Sequence, residues 1–259
     1  MSTSLPQEQT ITLNGMTTQY SLCGENGPVV ILFNGFRMPM SSWDKLYPGI
    51  QKYGRIFAYN RPGVGKTSKA SCPQTGEETI RSLEDILQAL HLLPPYILVG
   101  HSLGGLFANL YARAKPEKVR AVILVDASHP DEIKSQKEFK PPWLLRVIND
   151  ALKKIEARFD PYRYSEGECV FDTLRQIEAA GNFPAIPLAV ITGGKNMPFV
   201  PAASLSLHLK YQSALTALSP NSVHIMAEKS GHFPQITEPE LILHAFKLIV
   251  EPIAQPTTR

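Results

Sequence analysis

Apolar positions along this chain gather into short continuous runs separated by stretches with helical spacing. Residues 29 to 33, 56 to 59, 96 to 99, 121 to 125, 188 to 192 and 223 to 227 are such runs, too short for helices and rich in Val and Ile. Each reads as a strand buried on both faces. Between them lie Trp43, Leu46 and Ile50, with Ser41-Ser42 able to cap a helix start. Ile80, Leu83, Ile86, Leu87 and Leu90 mark a helix over 77 to 92, which Pro94-Pro95 stops. Further helical stretches follow around 205 to 218 and from Pro239 to Val250. Ahead of all these, residues 10 to 22 alternate about Asn14-Gly15, the pattern of a two-stranded hairpin. Apolar strands alternating with helices predict an α/β fold whose mostly parallel sheet carries helices on both faces.

The alternation breaks between 129 and 185. This region offers several helix-like pieces, among them Trp143-Leu144-Leu145 with Val147-Ile148, and Leu174 to Ile177, but no convincing strand. It reads as a helical insertion between a core of residues 1–128 and its continuation, 186–259. Phe139, Trp143, Leu144, Leu145, Val147 and Phe159 give it more apolar surface than a solvated connection needs, so part of it should border a pocket.

Composition narrows the classes. A hydrophobic content of 43% with 19% charged residues is that of an ordinary soluble globular protein. The net charge of +3 is small and evenly spread, and no basic cluster interleaves with aromatics, which argues against nucleic acid as a partner. Cys23, Cys72 and Cys169 are far apart and form no metal-like pair. The N-terminal residues resemble no secretory signal, and no apolar run approaches the ~20 residues of a membrane span. A cytoplasmic protein is the expectation.

The chemistry concentrates where the run 96–99 meets Gly100-His101-Ser102-Leu103-Gly104-Gly105 and then a helical pattern of Leu103, Phe107, Leu110 and Tyr111. Strand, sharp turn and helix around Gly-x-Ser-x-Gly is the context of a nucleophile elbow. Glycines at 100 and 104 leave room for strand and helix to approach, and the strained turn lifts the Ser102 hydroxyl above the sheet edge. A serine needs a base to remove its proton. Of seven histidines, His101 is inside the elbow, His91, His208 and His244 fall in helical patterns, and His224 sits within the last strand. His129 lies just past a strand end. His232, in Ser230-Gly231-His232-Phe233, follows the last strand on a loop at the sheet edge where open α/β sheets bind their ligands.

At these residues the chain resembles the α/β-hydrolase family. Val99 to Gly105 matches that family's elbow, and Asn34-Gly35 with Trp43 is similar to its His-Gly…Trp oxyanion segment. Tyr59-Asn60-Arg61-Pro62-Gly63-Val64-Gly65 resembles its Asp-Arg-Pro-Gly-x-Gly turn, and Gly231-His232 its histidine loop. The resemblance covers about residues 10–128 and 186–251. It implies an eight-stranded sheet with one early antiparallel strand, a lid over 129–185, and an oxyanion hole from the Phe36 and Leu103 amides. Asn34, Gly35, Trp143 and Phe233 become candidate substrate contacts. The implied activity is that of a serine hydrolase working on a small-molecule carboxylic ester or related acyl compound, with no metal or organic cofactor. Asparagine replaces the family's His at 34 and its Asp at 60.

The third catalytic member is the open question. The family's usual acid position, three residues past Gly193, holds Asn196, which carries no charge. Asp126, ending the strand 121–125, is the alternative acid. Asp131 and Glu132 fall inside the insertion. Ser102, His232 and Asp126 are therefore the expected triad. Two other classes compete. Gly63-Val64-Gly65-Lys66-Thr67 resembles a phosphate loop but has Asn60 where that motif requires glycine, with loop rather than helix following. A non-catalytic binding protein could also keep the sheet and the serine.

Overall fold

The computed structural model describes residues 6–136, 156, 158–196 and 202–251. Eight strands form one sheet: β1 (Glu8–Leu13), β2 (Met16–Cys23), β3 (Val29–Phe33), β4 (Arg55–Tyr59), β5 (Tyr96–His101), β6 (Val119–Val125), β7 (Leu188–Gly193) and β8 (Ser222–Ala227), in the order β1-β2-β4-β3-β5-β6-β7-β8. β2 runs antiparallel to both its neighbours, and every pairing from β4 to β8 is parallel. The β1–β2 turn is Asn14-Gly15, both at positive φ (51° and 78°), which the hairpin twist favours.

Because side chains alternate across a strand, the continuous apolar runs divide between two cores. Ile31, Phe33, Leu98, Val122, Leu124 and Val190 face one layer, and Val30, Leu32, Ile97, Val99, Ile123 and Ile191 the other. The first layer is covered by α2 (Gly76–Ala89), α3 (Leu103–Ala114) and a later helix, Val170–Ala179. The second is covered by Trp43, Leu46, Ile50 and the C-terminal helix Pro239–Ile249, through Ile242 and Phe246.

The helix expected from Ser41-Ser42 is instead a 3₁₀ turn, Met40–Trp43, and a single-turn helix α1 (Tyr47–Ile50); no serine side chain caps either. Pro39 and Pro48 interrupt the series of backbone donors, and Gly49 lies so close to Leu243 that a Cβ would sit 2.4 Å from it. The apolar positions are nonetheless placed as expected, since Trp43, Leu46 and Ile50 are all fully buried.

Between β6 and β7 the described residues form α4 (Pro130–Gln136), α5 (Ser165–Glu168) and α6 (Val170–Ala179). Phe139, Trp143, Leu144, Leu145, Val147 and Ile148 lie outside the described residues. α6 is built into the body of the fold. Leu174 and Ile177 enter the core, while Thr173 and Gln176 accept hydrogen bonds from the Gly76 and Glu77 amides at the start of α2. Those amides have no partner within their own helix, so α6 completes the cap that Thr75 begins. α7 (Ala202–Leu215) follows β7, and α8 (Pro234–Thr237) and α9 (Pro239–Ile249) follow β8. No described helix is long and apolar enough to cross a membrane.

Candidate active site

Ser102 lies between β5 and α3 with φ 52° and ψ −122°, a conformation that side-chain-bearing residues rarely adopt. Close packing enforces it. A Cβ on Gly100 would stand 2.6 Å from the Gly104 carbonyl, and one on Gly104 would stand 2.2 Å from the Phe33 carbonyl. The Ser102 backbone is tied down by bonds from its N–H to the Val125 carbonyl (3.3 Å) and from Gly105 N–H and Ser128 N–H to its own carbonyl (2.9 and 3.1 Å). The elbow is thus locked to the end of the neighbouring strand, and the hydroxyl projects over the C-terminal edge of the sheet.

β8 is three strands from β5, about 14 Å at usual spacings, so the loop carrying His232 must cross back over the end of β7. Gly193 permits the crossing. A Cβ there would lie 1.9 Å from the Gly231 carbonyl. The loop is fastened by Lys195 N–H to the Ser230 carbonyl (2.9 Å) and by Glu238, which accepts from the Lys229 amide (2.9 Å) and the Ser230 hydroxyl (2.6 Å). His232 Nε2 arrives 2.9 Å from Ser102 Oγ, and its Nδ1 lies 2.7 Å from Asp126 Oδ2.

Asp126 follows β6 at φ 42°, buried, with its N–H bonded to the Ile191 carbonyl (2.7 Å). Its Oδ1 accepts from the Gly193 amide (2.8 Å) and from His208 Nε2 (3.0 Å). Burial alone would raise the carboxyl pKa, but the hydrogen bonds and charges of His208 and His232 outweigh it and hold Asp126 well below the usual carboxylate range. An ionised carboxylate only accepts, so His232 Nδ1 carries the proton and Nε2 is left to accept from the Ser102 hydroxyl. Hydroxyl, imidazole and carboxylate in this relay can make a serine nucleophilic.

The remaining expected residues divide. His101 is buried and its Nε2 donates to the His232 carbonyl (2.7 Å). Burial, and then the neighbouring His232, lowers its pKa to about 4, so it stays neutral and braces the loop. His129 accepts from the Asp131 amide and packs at a tilt against Tyr211. Phe233 packs on both His101 and His232, with ring centroids 5.5 and 5.1 Å apart. Leu103 opens α3 immediately after the serine, and Phe36, 41% exposed, follows the adjacent β3. Asn34 is fully buried; its amide donates to the Tyr59 carbonyl (2.8 Å) and accepts from Trp43 Nε1 (2.7 Å), so its side chain braces the segment rather than facing the cleft. Gly35 is buried against His101 and Met38. Trp143 lies outside the described residues. Asn196 lines the same cleft as Asp126 and His232.

Two further residues bear on the site without having been singled out for it. The first is His208 on α7, which the sequence placed only in a helical pattern, on the surface or in packing, and which bonds to Asp126. The second is Arg61, buried beneath the Asn34–Phe36 segment. Its Nη1 and Nη2 donate to the Asn34 and Gly35 carbonyls (2.8 Å each), and its Nε and Nη2 pair with Glu166 of α5. The guanidinium therefore clamps the loop that precedes Phe36 to α5. Glu166→Ala leaves that buried cation without its counter-ion, which costs about 3–5 kcal/mol. Thermal denaturation should show Tm lowered by roughly 10 °C; an unchanged Tm would mean that the two carbonyls suffice for Arg61.

The phosphate-loop resemblance has no matching cradle. Lys66 N–H and Thr67 Oγ1 are bonded to Gln19 and Asn60, the Lys66 ammonium reaches Glu8 on the surface, and no helix begins between Thr67 and Gly76.

A serine in a strained strand-to-helix turn, on the central parallel strands of a sheet covered on both faces, defines an α/β protein with a nucleophile elbow. A model of the alpha/beta hydrolase fold matches residues 28–160, and the chain belongs to that family. It is 29% identical over 126 residues to an uncharacterised Bacillus subtilis protein, YqjL, a match spanning 48% of this chain and 49%, about half, of that one. It is 25% identical over 259 aligned positions to a pimeloyl-[acyl-carrier protein] methyl ester esterase of Aeromonas hydrophila, covering 86% of this chain and 96% of that one. Among solved structures, the enol-lactonase of Burkholderia xenovorans shares the fold with a TM-score of 0.66 at 18% identity, over 95% of this chain and all of that one (100%).

Proposed function

We propose that this protein is a serine hydrolase that cleaves a carboxylic ester or related acyl compound through an acyl-enzyme. The observation that carries the reading is the continuous relay from Ser102 Oγ through His232 to Asp126, at 2.9 and 2.7 Å. Ser102 Oγ bonds to the substrate carbonyl carbon while its proton passes to His232 Nε2. The carbonyl oxygen becomes an oxyanion, assigned here to the amides of Phe36 and Leu103. On collapse, the carbon–oxygen bond to the leaving alcohol breaks and His232 returns the proton to that alcohol. Water then repeats the cycle on the acyl-enzyme, with His232 as base and then as acid.

An ester is favoured as the substrate class for two reasons. It needs the least activation of the acyl compounds, and a relative aligned over 86% of this chain is named as an ester hydrolase. A cavity of about 310 Å³ opens beside Ser102 and His232, lined also by Ala127 and Ile133 and by Asp126, Glu132 and His208. A fluorophosphonate probe tests the reading without knowledge of the substrate. Covalent labelling is expected at Ser102 by mass spectrometry and is lost in His232→Ala. A protein left unlabelled would instead favour a binding role for the fold.

A further inference from the structure

Asp126 faces two imidazoles. His232 takes one carboxylate oxygen and His208 the other, and His208 Nδ1 in turn lies 2.9 Å from Glu132 Oε1 on α4. Three separate elements thus converge behind the candidate acid: α4 through Glu132, α7 through His208, and the β7 end through the Gly193 amide. One turn beyond His208 on α7, the buried Gln212 donates to the Ala127 carbonyl (2.5 Å). The helix therefore grips the post-β6 segment at two successive residues. With a carboxylate at each ring nitrogen, both nitrogens of His208 must donate, which makes it an imidazolium. Burial opposes that charge, but the hydrogen bonds and charges of Asp126 and Glu132 prevail and raise its pKa to about 10.

We infer that His208 and Glu132 form a charge-setting pair that positions Asp126 and tunes the basicity of His232, a role that rests on the proposed Ser102–His232–Asp126 relay. Asp126, Glu132 and His208 together present one net negative charge to His232. Without the imidazolium they would present two, and His232 would hold its proton to higher pH, where it cannot act as base. Without Glu132 they would present none, and His232 would lose its proton at lower pH. His208 is a positioning residue, since neither of its nitrogens is left to meet a substrate.

Other ionisable groups face this cluster. His101 packs on His232 but stays neutral, and Lys195 lines the cleft beside His208. On α4, Lys134 is paired with Asp131 and with Glu178 of α6. On α7 itself, Tyr211 packs against His129. None of these lies between His208 and Asp126.

The experiment is the pH dependence of the rate at which a fluorophosphonate labels Ser102, whose acid limb follows protonation of His232. His208→Gln keeps a donor for Asp126 but removes the charge; its acid limb is expected to move up by about one pH unit. Glu132→Gln keeps an acceptor for His208 and removes an anion; its limb is expected to move down. Opposite displacements are not the signature of a packing defect, which would lower the rate or the melting temperature without moving the limb. A limb in His208→Gln that stays in place or moves down would overturn the inference, as would one in Glu132→Gln that stays or moves up. Should His208→Gln fail to fold, Glu132→Gln alone decides. A wild-type protein that is not labelled overturns the relay itself and this inference with it, whereas labelling with unmoved limbs overturns only the inference.

Discussion

Ser102→Ala is expected to abolish ester turnover, with kcat lower by about 10⁶-fold, the scale seen when a serine hydrolase loses its nucleophile. The fold should survive. The backbone at 102 is held by bonds to Val125, Gly105 and Ser128 that an alanine retains. Ser102→Gly removes the same hydroxyl and also the Cβ that makes φ 52° unfavourable. It should be equally inactive and should melt no lower than Ser102→Ala. Turnover of a short p-nitrophenyl ester, read beside a thermal melt, checks both variants. Residual turnover within tenfold of wild type in Ser102→Ala would remove this serine from the mechanism.

The next largest effect is expected from Asp126→Asn, about 10⁴-fold in kcat, by analogy with the same change in serine proteases. The geometry supplies a reason for so large a loss. Two donors, the Gly193 amide and His208 Nε2, converge on Asp126 Oδ1. An asparagine would turn its carbonyl oxygen toward them and leave its NH₂ facing His232 Nδ1. The imidazole would then carry its proton on Nε2, pointing at Ser102, where it cannot take the serine proton. Asn196→Ala, by contrast, should change kcat less than about threefold. The decisive comparison is kcat of the two variants side by side with their melting curves. Asn196 essential and Asp126 dispensable would move the acid to the loop after β7.

Much of this architecture was legible in the chain because it depends on local pattern. Short Val- and Ile-rich runs read as strands buried on both faces, which holds for β3 to β7 but not for the edge strand β8, where His224 and Met226 are exposed; alternation with helices makes the sheet parallel. The β1–β2 turn was announced by Asn14-Gly15, and the serine turn by glycines at 100 and 104, because those backbones exclude or disfavour any Cβ. His232 stood out by its place after the last strand. Asp126 was legible as the residue that follows the apolar run of β6, although its ties to His232, His208 and the Gly193 amide were not.

What tertiary structure decided is what depends on contacts between distant segments. On α7, Leu205, His208, Gln212 and Leu215 turn toward the protein, while Leu207 is 40% exposed. The alternating leucines at 205, 207 and 209 conceal the inward face, so a histidine among them reads as packing. Only the approach of α4 and α7 to the end of β6 brings Glu132 and His208 onto Asp126, across 76 and 82 residues of chain. The buried pair of Arg61 and Glu166 is likewise joined across 105 residues. Local periodicity determines which element a residue belongs to and which face of a strand it occupies. The partner of a buried charge is determined by the packing of whole layers, because desolvation makes a counter-ion obligatory but leaves its position in the chain free.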